Sequence, residues 1–76
     1  MYVVECADGS FYAGITTDIS RRLHEHNSTS RGAKYTKPRR PVKLIYSTDH
    51  ADRSSASEAE AAFKKLTRKQ KEAIIS

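Results

Sequence analysis

The chain of 76 residues is poor in cysteine and has no long apolar run. Its single cysteine, Cys6, has no partner for an internal disulfide and cannot form a zinc site of several thiolates. A lone thiol fits a reducing compartment, so we expect a cytoplasmic protein without disulfides. No stretch approaches the roughly 18 apolar residues that cross a membrane, and no signal-peptide pattern opens the chain. We therefore expect no membrane partner.

The chain is also short, which limits the size of its core. A domain of this length buries only about 60% of the surface that its unfolded chain exposes. We predict one domain over residues 1–76, with a thin core.

Positive charge is missing from the start of the chain, and negative charge is scarce in the stretch that follows. Residues 1–20 hold three acids and no lysine or arginine, whereas residues 21–43 hold eight lysines and arginines and one acid, Glu25. A second basic cluster, KKLTRKQK, lies near the end, and the net charge is +5. Concentrated positive charge favours a polyanionic partner, nucleic acid first. The alternative is a solvated surface, and composition alone does not separate the two.

The stretch YVVECADGSFYAGI predicts a β-hairpin, because residues rich in Val, Tyr, Phe and Ile flank ADG. A two-residue turn would place Tyr2 and Tyr12 on opposite faces. A three-residue loop with Gly9 in the left-handed conformation pairs residues whose numbers sum to 16. Tyr2 then lies opposite Gly14, both tyrosine rings project from one face, and the face beside Tyr2 is left open by the glycine.

A helix is predicted after the hairpin, with Thr17 or Asp18 as its cap. Ile19, Leu23 and His26 follow the spacing of a core-facing stripe.

The second half of the chain predicts a third strand at PVKLIYS and a helix at SSASEAEAAFKKL, capped by Ser55 or Ser57. A last short helix begins at Thr67 with Gln70. The element order is β-β-α-β-α-α. It indicates an α+β fold that is sandwich-like, with a small, mainly antiparallel three-stranded sheet and flanking helices.

Several residues fall at the spacing of one nuclease family. Tyr2 lies in strand one, YAG occupies residues 12–14, Arg22 follows Tyr12 by ten residues, and His26 lies four further on. Together with a glutamate on a later helix, they resemble the GIY-YIG nuclease domain over the whole chain, closest to its small stand-alone bacterial members. The leading glycine of the motif is absent and Met1 falls at its second position, so we expect strand one to be incomplete at its N-terminal edge.

The resemblance implies a metal-dependent endonuclease that hydrolyses DNA phosphodiester bonds, nicking structured or damaged DNA. It implies Mg²⁺ or Mn²⁺ as cofactor, bound by Glu60, with Glu58 as the alternative ligand. The implied catalytic residues are Tyr2, Tyr12, Arg22 and His26, and Gly14 is the motif glycine.

These residue types suit phosphodiester hydrolysis. A tyrosine hydroxyl can orient water, or act as a base if a nearby cation or metal lowers its pKa. Arg22 can hold phosphate oxygens in a bidentate geometry. Mg²⁺ takes one or two carboxylates and completes its shell with water and phosphate, so Glu60 alone is enough. Each residue also has a structural alternative: strand packing for the tyrosines, a solvated charge for Arg22 and a buried structural role for His26.

The loop RGAKYTKPRR places basic residues around an aromatic ring, which suits a nucleic-acid groove. Its predicted DNA-binding residues are Arg31, Lys34, Tyr35, Lys37, Arg39 and Arg40. The alternative is an ordinary solvated loop. Two further functions stay open at this point: a non-catalytic nucleic-acid-binding module, and a nuclease subunit whose protein partner supplies specificity.

Overall fold

The computed structural model describes residues 1–28 and 31–75, and within them the chain forms three strands, three α-helices and a short 3₁₀ turn. The strands are β1 (Tyr2–Glu5), β2 (Phe11–Gly14) and β3 (Lys43–Ser47). The helices are α1 (Ile19–Ser28), α2 (Arg53–Lys64) and α3 (Arg68–Ile75), and the 3₁₀ turn spans Lys37–Arg39. The predicted order β-β-α-β-α-α is confirmed. Residues 29 and 30, which precede the predicted basic loop, lie outside the described residues.

The sheet has the order β2-β1-β3, and both pairs are antiparallel. Tyr2 pairs with Gly14 and Val4 pairs with Tyr12, which is the register of the three-residue loop. Gly9 has a φ of 85°, the left-handed conformation that this loop requires and that glycine adopts without steric penalty. The predicted hairpin is therefore confirmed, and it projects both tyrosines from one face.

The two faces of the sheet carry two apolar clusters, because successive strand residues point to opposite sides. On one face Tyr2 and Val4 pack with Ile19 and Leu23 of α1. On the other, Val3 and Ala13 pack with Phe63 of α2, together with Leu66 and Ile75. The sheet thus lies between α1 and the pair α2 and α3, which is the predicted sandwich-like α+β arrangement.

Helix caps agree with the sequence at two starts and differ at a third. Asp18 accepts a hydrogen bond from the backbone N–H of Arg21 at 3.0 Å, and Thr67 and Gln70 form a reciprocal capping box. The predicted start of α2 at Ser55 or Ser57 is wrong, since Asp52 is the cap and accepts from the N–H of Ser55 at 2.8 Å. Residues 53 and 54 are compatible with a helix, so α2 extends back to the carboxylate upstream.

Two expectations about the environment of the chain can be compared with the fold. Cys6 is a buried free thiol packed beneath the first sheet face. Across residues 1–28 and 31–75, none of the helices has the length and apolar character needed to span a bilayer.

Candidate active site

The centre of the site is the close approach of Tyr2 to Gly14 on the neighbouring strand. A Cβ placed on Gly14 would lie 2.5 Å from the Tyr2 hydroxyl oxygen and 2.7 Å from its ring carbon Cζ. The expected open face beside Tyr2 is therefore wrong: the tyrosine ring itself lies over the glycine. Gly14 is required here for close approach, because any side chain would displace the phenol.

A chain of hydrogen bonds runs from Tyr2 through His26 to the loop. The Tyr2 hydroxyl lies 2.7 Å from His26 Nε2, and His26 Nδ1 lies 2.9 Å from the Thr36 hydroxyl oxygen. Thr36 donates its only hydroxyl proton to the carbonyl of Ala33 at 3.0 Å. Thr36 must then accept from His26 Nδ1–H, so Nε2 is unprotonated and accepts from the Tyr2 hydroxyl. The network assigns the histidine tautomer and aims the phenolic proton at the ring.

Burial sets the protonation of this pair. Tyr2 is 3% exposed and His26 is fully buried. Burial raises the pKa of Tyr2, and the opposing effect of the nearby Arg22 guanidinium is smaller. Burial also lowers the pKa of His26, and the charge of Arg22 lowers it further. At neutral pH Tyr2 is a phenol and His26 a neutral imidazole, so Tyr2 is not a stored phenolate.

Arg22 lies between the tyrosine and the rim of the site. Its Nη1 donates to Glu25 Oε1 at 3.2 Å and to the backbone carbonyl of Arg31 at 2.9 Å. Burial alone would lower the pKa of Arg22, but interactions with Tyr2 and Glu25 raise it. The guanidinium is thus a fixed positive charge held beside the Tyr2 hydroxyl.

Glu60 approaches the site from α2. Its side chain is 21% exposed and forms an ion pair of 2.6 Å with Lys64 one turn later. Burial is the main cause of the raised pKa of Tyr2, and the negative charge of Glu60 adds a smaller effect in the same direction. Glu58, the alternative ligand, is exposed two residues away on α2.

The residues present fit a divalent cation held by one carboxylate. In the described part of the chain, no three His, Cys, Asp or Glu side chains come together as a preformed metal cage. Mg²⁺ is commonly held by one or two carboxylates with water and substrate phosphate in its other positions. Glu60 offers such a carboxylate once its ion pair with Lys64 is broken.

A cleft of about 790 Å³ opens beside the site. Tyr2 and Arg22 line it, together with residues 15–17 after β2, residues 48–52 before α2 and Arg53 at the start of that helix. Tyr12, His26 and Glu60 are absent from its lining. Direct contacts join Tyr2 and Tyr12 to His26, and Lys64, the ion-pair partner of Glu60, lies 6.0 Å from the centre of the Tyr12 ring. Of the five predicted catalytic and metal-binding residues, only Tyr2 and Arg22 face this cleft.

The second tyrosine connects the site to the basic loop. The Tyr12 ring meets His26 edge-on, with centroids 5.4 Å apart, and stacks on Tyr35 at 5.9 Å. The Arg39 guanidinium covers Tyr35 at 4.1 Å and pairs with Asp8 at 3.0 Å. The loop is thus folded against the face of the hairpin that carries Tyr2 and Tyr12.

The predicted DNA-binding cations of the loop divide into two groups. Arg31, Lys34 and Lys37 are exposed. Arg40 is different, because it donates to the backbone carbonyls of His26 and Glu25 in the last turns of α1. Cations near a helix C-terminus can hydrogen-bond its last carbonyls, and Arg40 stabilises the end of α1 in this way. This contact differs from the DNA contact predicted for Arg40.

Thr36 is a partner of His26 that the sequence did not predict. It is fully buried and holds the far nitrogen of His26. Nothing in its spacing distinguishes it, since it lies in a polar segment predicted to be one surface loop. The signal available in the sequence was chemical: a histidine on an apolar stripe needs a polar partner for each ring nitrogen.

Residues 1–73 match the family described as the GIY-YIG catalytic domain. A UPF0213 protein of Enterococcus faecalis is 62% identical over 97% of this chain and 85% of its own length. UPF0213 protein spr1390 of Streptococcus pneumoniae is 57% identical over 100% of this chain and 76% of its own.

The fold also matches a solved relative. The solution NMR structure of UPF0213 protein BH0048 from Bacillus halodurans superimposes with a TM-score of 0.62 at 39% identity, covering 97% of this chain and 78% of that one. The family match thus indicates a nuclease-type catalytic domain. The chain belongs to the GIY-YIG catalytic domain family, and its relatives are small UPF0213 proteins of bacteria.

Membership of this nuclease family supports an endonuclease activity, and the names of the UPF0213 relatives state none. GIY-YIG nucleases generally depend on a divalent metal, and a nuclease domain implies DNA as substrate.

Proposed function

We propose that this chain is a metal-dependent endonuclease that nicks structured or damaged DNA, using Tyr2, Tyr12, Arg22 and His26 for catalysis and Glu60 for Mg²⁺ or Mn²⁺. The observation that carries the proposal is the hydrogen-bonded chain from Tyr2 through His26 to Thr36, together with the Arg22 guanidinium beside the Tyr2 hydroxyl. A buried structural histidine would explain the packing alone. It would not explain a phenol that lines a cleft beside an arginine.

Tyr2 acts as a proton relay in this proposal. Its phenolic proton points to His26 Nε2, so the oxygen lone pairs are available to a water in the cleft. As the water oxygen attacks phosphorus, its proton passes to Tyr2 Oη and the phenolic proton passes to Nε2. Tyr2 ends neutral and His26 ends as an imidazolium. The raised pKa of Tyr2 is then no obstacle, because no phenolate has to form.

Arg22 and Glu60 act on the phosphate. The Arg22 guanidinium neutralises charge that grows on the phosphate oxygens as the water attacks. When bound at Glu60, a divalent cation supplies Lewis-acid polarisation of the phosphate. The bond from phosphorus to the leaving ester oxygen then breaks, and that oxygen takes a proton from solvent. Tyr12 packs between His26 and Tyr35 and keeps the imidazole in place.

The accessible cations of the loop are proposed to bind the flanking backbone. Lys34 and Lys37 are the main candidates, with Arg31 and the stacked Tyr35 and Arg39 beside them. Neutralising Lys34 and Lys37 together should weaken binding to all sequences alike. For every phosphate that the variant no longer touches, the slope of log affinity against log salt should fall by about 0.9 on duplex DNA.

A specific observation favours a second candidate, a non-catalytic binding module or a subunit activated by a protein partner. The Lys64 ammonium already occupies the Glu60 carboxylate at 2.6 Å, which is the position a metal must take. A partner or the DNA itself would then have to release Glu60 before cutting.

The test is a nicking assay on branched, flapped, damaged and plain DNAs with Mg²⁺, with Mn²⁺ and with chelator. Arg22→Ala should reduce the single-turnover rate far more than the affinity measured in chelator, because its partner is the reacting phosphate. Binding without cutting on every substrate would establish the binding module instead. An unchanged rate in Arg22→Ala would remove that residue from the site.

A further inference from the structure

A second hollow lies on the side of Glu60 away from the cleft. Ala56, Glu60 and Lys64 follow one another at four-residue intervals on one side of α2, about 6 Å apart along the helix. Ala56 lines the cleft and Lys64 lines the second hollow, so Glu60 lies between the two. A nucleic-acid strand that places a phosphate at Glu60 and follows this side of α2 passes over both.

This strand-two hollow runs beside β2, an edge strand of the sheet. It has a volume of about 240 Å³, below the roughly 300–1,000 Å³ of pockets for drug-sized ligands. Its lining combines four aromatic rings with two lysines: Phe11, Tyr12, Tyr35, Phe63, Lys64 and Lys71. It has the size for one planar ring system rather than for a whole nucleotide.

The chemistry of the strand-two hollow matches a base attached to a phosphate. Aromatic side chains stack on bases of any identity, since every base has a π face. The Arg68 guanidinium lies over the Phe11 ring, 3.7 Å from its centre, and guanidinium planes also stack on bases.

Lys71 provides the charge. Three neighbouring cations are ion-paired: Lys64 with Glu60, Arg68 with Glu72, and Arg39 with Asp8. Within residues 1–28 and 31–75, no carboxylate lies within ion-pair distance of Lys71, whose ammonium is 5.5 Å from the centre of the Phe63 ring. It is therefore available to a phosphate at the rim.

We propose that the strand-two hollow is a nucleobase subsite, which takes one base next to the scissile phosphate while Lys71 binds a neighbouring backbone phosphate. The proposal rests on the proposed nuclease function and adds a point of substrate recognition on one side of the cut. It predicts dependence on the presence of a base at one position and tolerance of which base stands there.

The experiment is an abasic scan in chelator, so that binding is measured without cutting. A single abasic nucleotide is moved along the strand on both sides of the cut, in the DNA that the parent binds best. One position should reduce the affinity of the parent by about five- to 150-fold, the loss expected for one stacked base. In Phe11→Leu, which keeps apolar volume and removes the ring, that position should lose its penalty.

Lys71→Ala should reduce the salt slope by about 0.7–0.9, the share of one phosphate. Lys69→Ala is the matched control, since Lys69 is exposed on the same helix and lines neither the cleft nor the strand-two hollow. It should keep the slope of the parent. Thermal melting checks the fold of each variant, and if Phe11→Leu fails to fold, Tyr35→Leu removes a ring from the exposed side.

Two outcomes overturn the subsite alone: a parent that cuts but shows no abasic penalty on either side, or ring-removal variants that fold and retain the penalty. A parent that neither binds nor cuts any DNA on the panel overturns the proposed function, and the subsite with it. A reduction of slope in Lys69→Ala equal to that in Lys71→Ala reassigns the charge effect to the whole helix and refutes the phosphate site at Lys71.

Discussion

Gly14→Ala is the sharpest perturbation of the site, because it adds one methyl group where the neighbouring strand meets Tyr2, the proposed proton relay. The new Cβ would lie 2.5 Å from Tyr2 Oη and 2.7 Å from Cζ, distances that real Cβ atoms essentially never show. Tyr2 is 3% exposed, so its ring has no room to move without displacing neighbours. The phenol must therefore leave its hydrogen bond to His26 at 2.7 Å.

The added methyl group should destabilise the fold both by overpacking and by breaking a hydrogen bond. Overpacking of this kind costs about 1–3 kcal/mol, and the broken hydrogen bond adds about 0.5–1.5 kcal/mol. We expect the free energy of unfolding to fall by about 2–4 kcal/mol, measured by urea denaturation. The cutting rate of the folded fraction should fall by about 100-fold or more, the contribution of a positioned general base.

Gly9→Ala is the matched control. Gly9 has open space around it but a φ of 85°, so the same added methyl costs about 1–2 kcal/mol of backbone strain and touches no catalytic group. Its single-turnover rate should stay within about twofold of the parent. The reasoning is refuted if Gly14→Ala, corrected for folded fraction, cuts as fast as Gly9→Ala.

Three further predictions concern charge. Because burial lowers the pKa of His26 below its ordinary 6.5, the unfolded chain binds this proton more tightly. The free energy of unfolding should therefore be constant above about pH 6.5 and decrease below it, by at most about 1.4 kcal/mol per pH unit. Urea denaturation across this pH range should show that His26→Gln lacks this decrease. Arg40→Met should lower the free energy of unfolding by about 1.5–3 kcal/mol, since it removes charge-assisted hydrogen bonds to the end of α1. An unchanged denaturation midpoint would show that these hydrogen bonds do not stabilise the fold. Lys64→Met should tighten Mn²⁺ binding measured by titration calorimetry, because the competing ion pair with Glu60 is removed; weaker binding would contradict Glu60 as the ligand.

The hairpin was predictable from the sequence because the length of its loop determines the strand register. The loop ADG with Gly9 at its end selected the register, and the register placed Tyr2, Tyr12 and Gly14 together. The position of His26 on the inner side of α1 followed from helix periodicity in the same way. Both results depend on regular backbone geometry over a few residues.

The packing between elements was not predictable by these rules. Tyr2 fills the space over Gly14 because of its rotamer, and pairing alone does not specify a rotamer. Thr36 and Arg40 come from an irregular loop without a period to follow, and the loop folds back on α1 through hydrogen bonds that span ten or more residues of sequence. In such a segment, a charged residue is expected to be exposed to solvent, but Arg40 instead donates hydrogen bonds to carbonyls at the end of α1.

The most direct test of the account is the metal dependence of cutting in Glu60→Gln beside Glu58→Gln. Both changes remove one negative charge from α2, but the Glu60 side chain is 21% exposed and ion-paired with Lys64, whereas Glu58 is exposed. We predict that Glu60→Gln abolishes Mg²⁺- and Mn²⁺-dependent nicking and keeps its fold and DNA affinity, while Glu58→Gln cuts like the parent. Metal-dependent cutting that survives in Glu60→Gln and disappears in Glu58→Gln would contradict it.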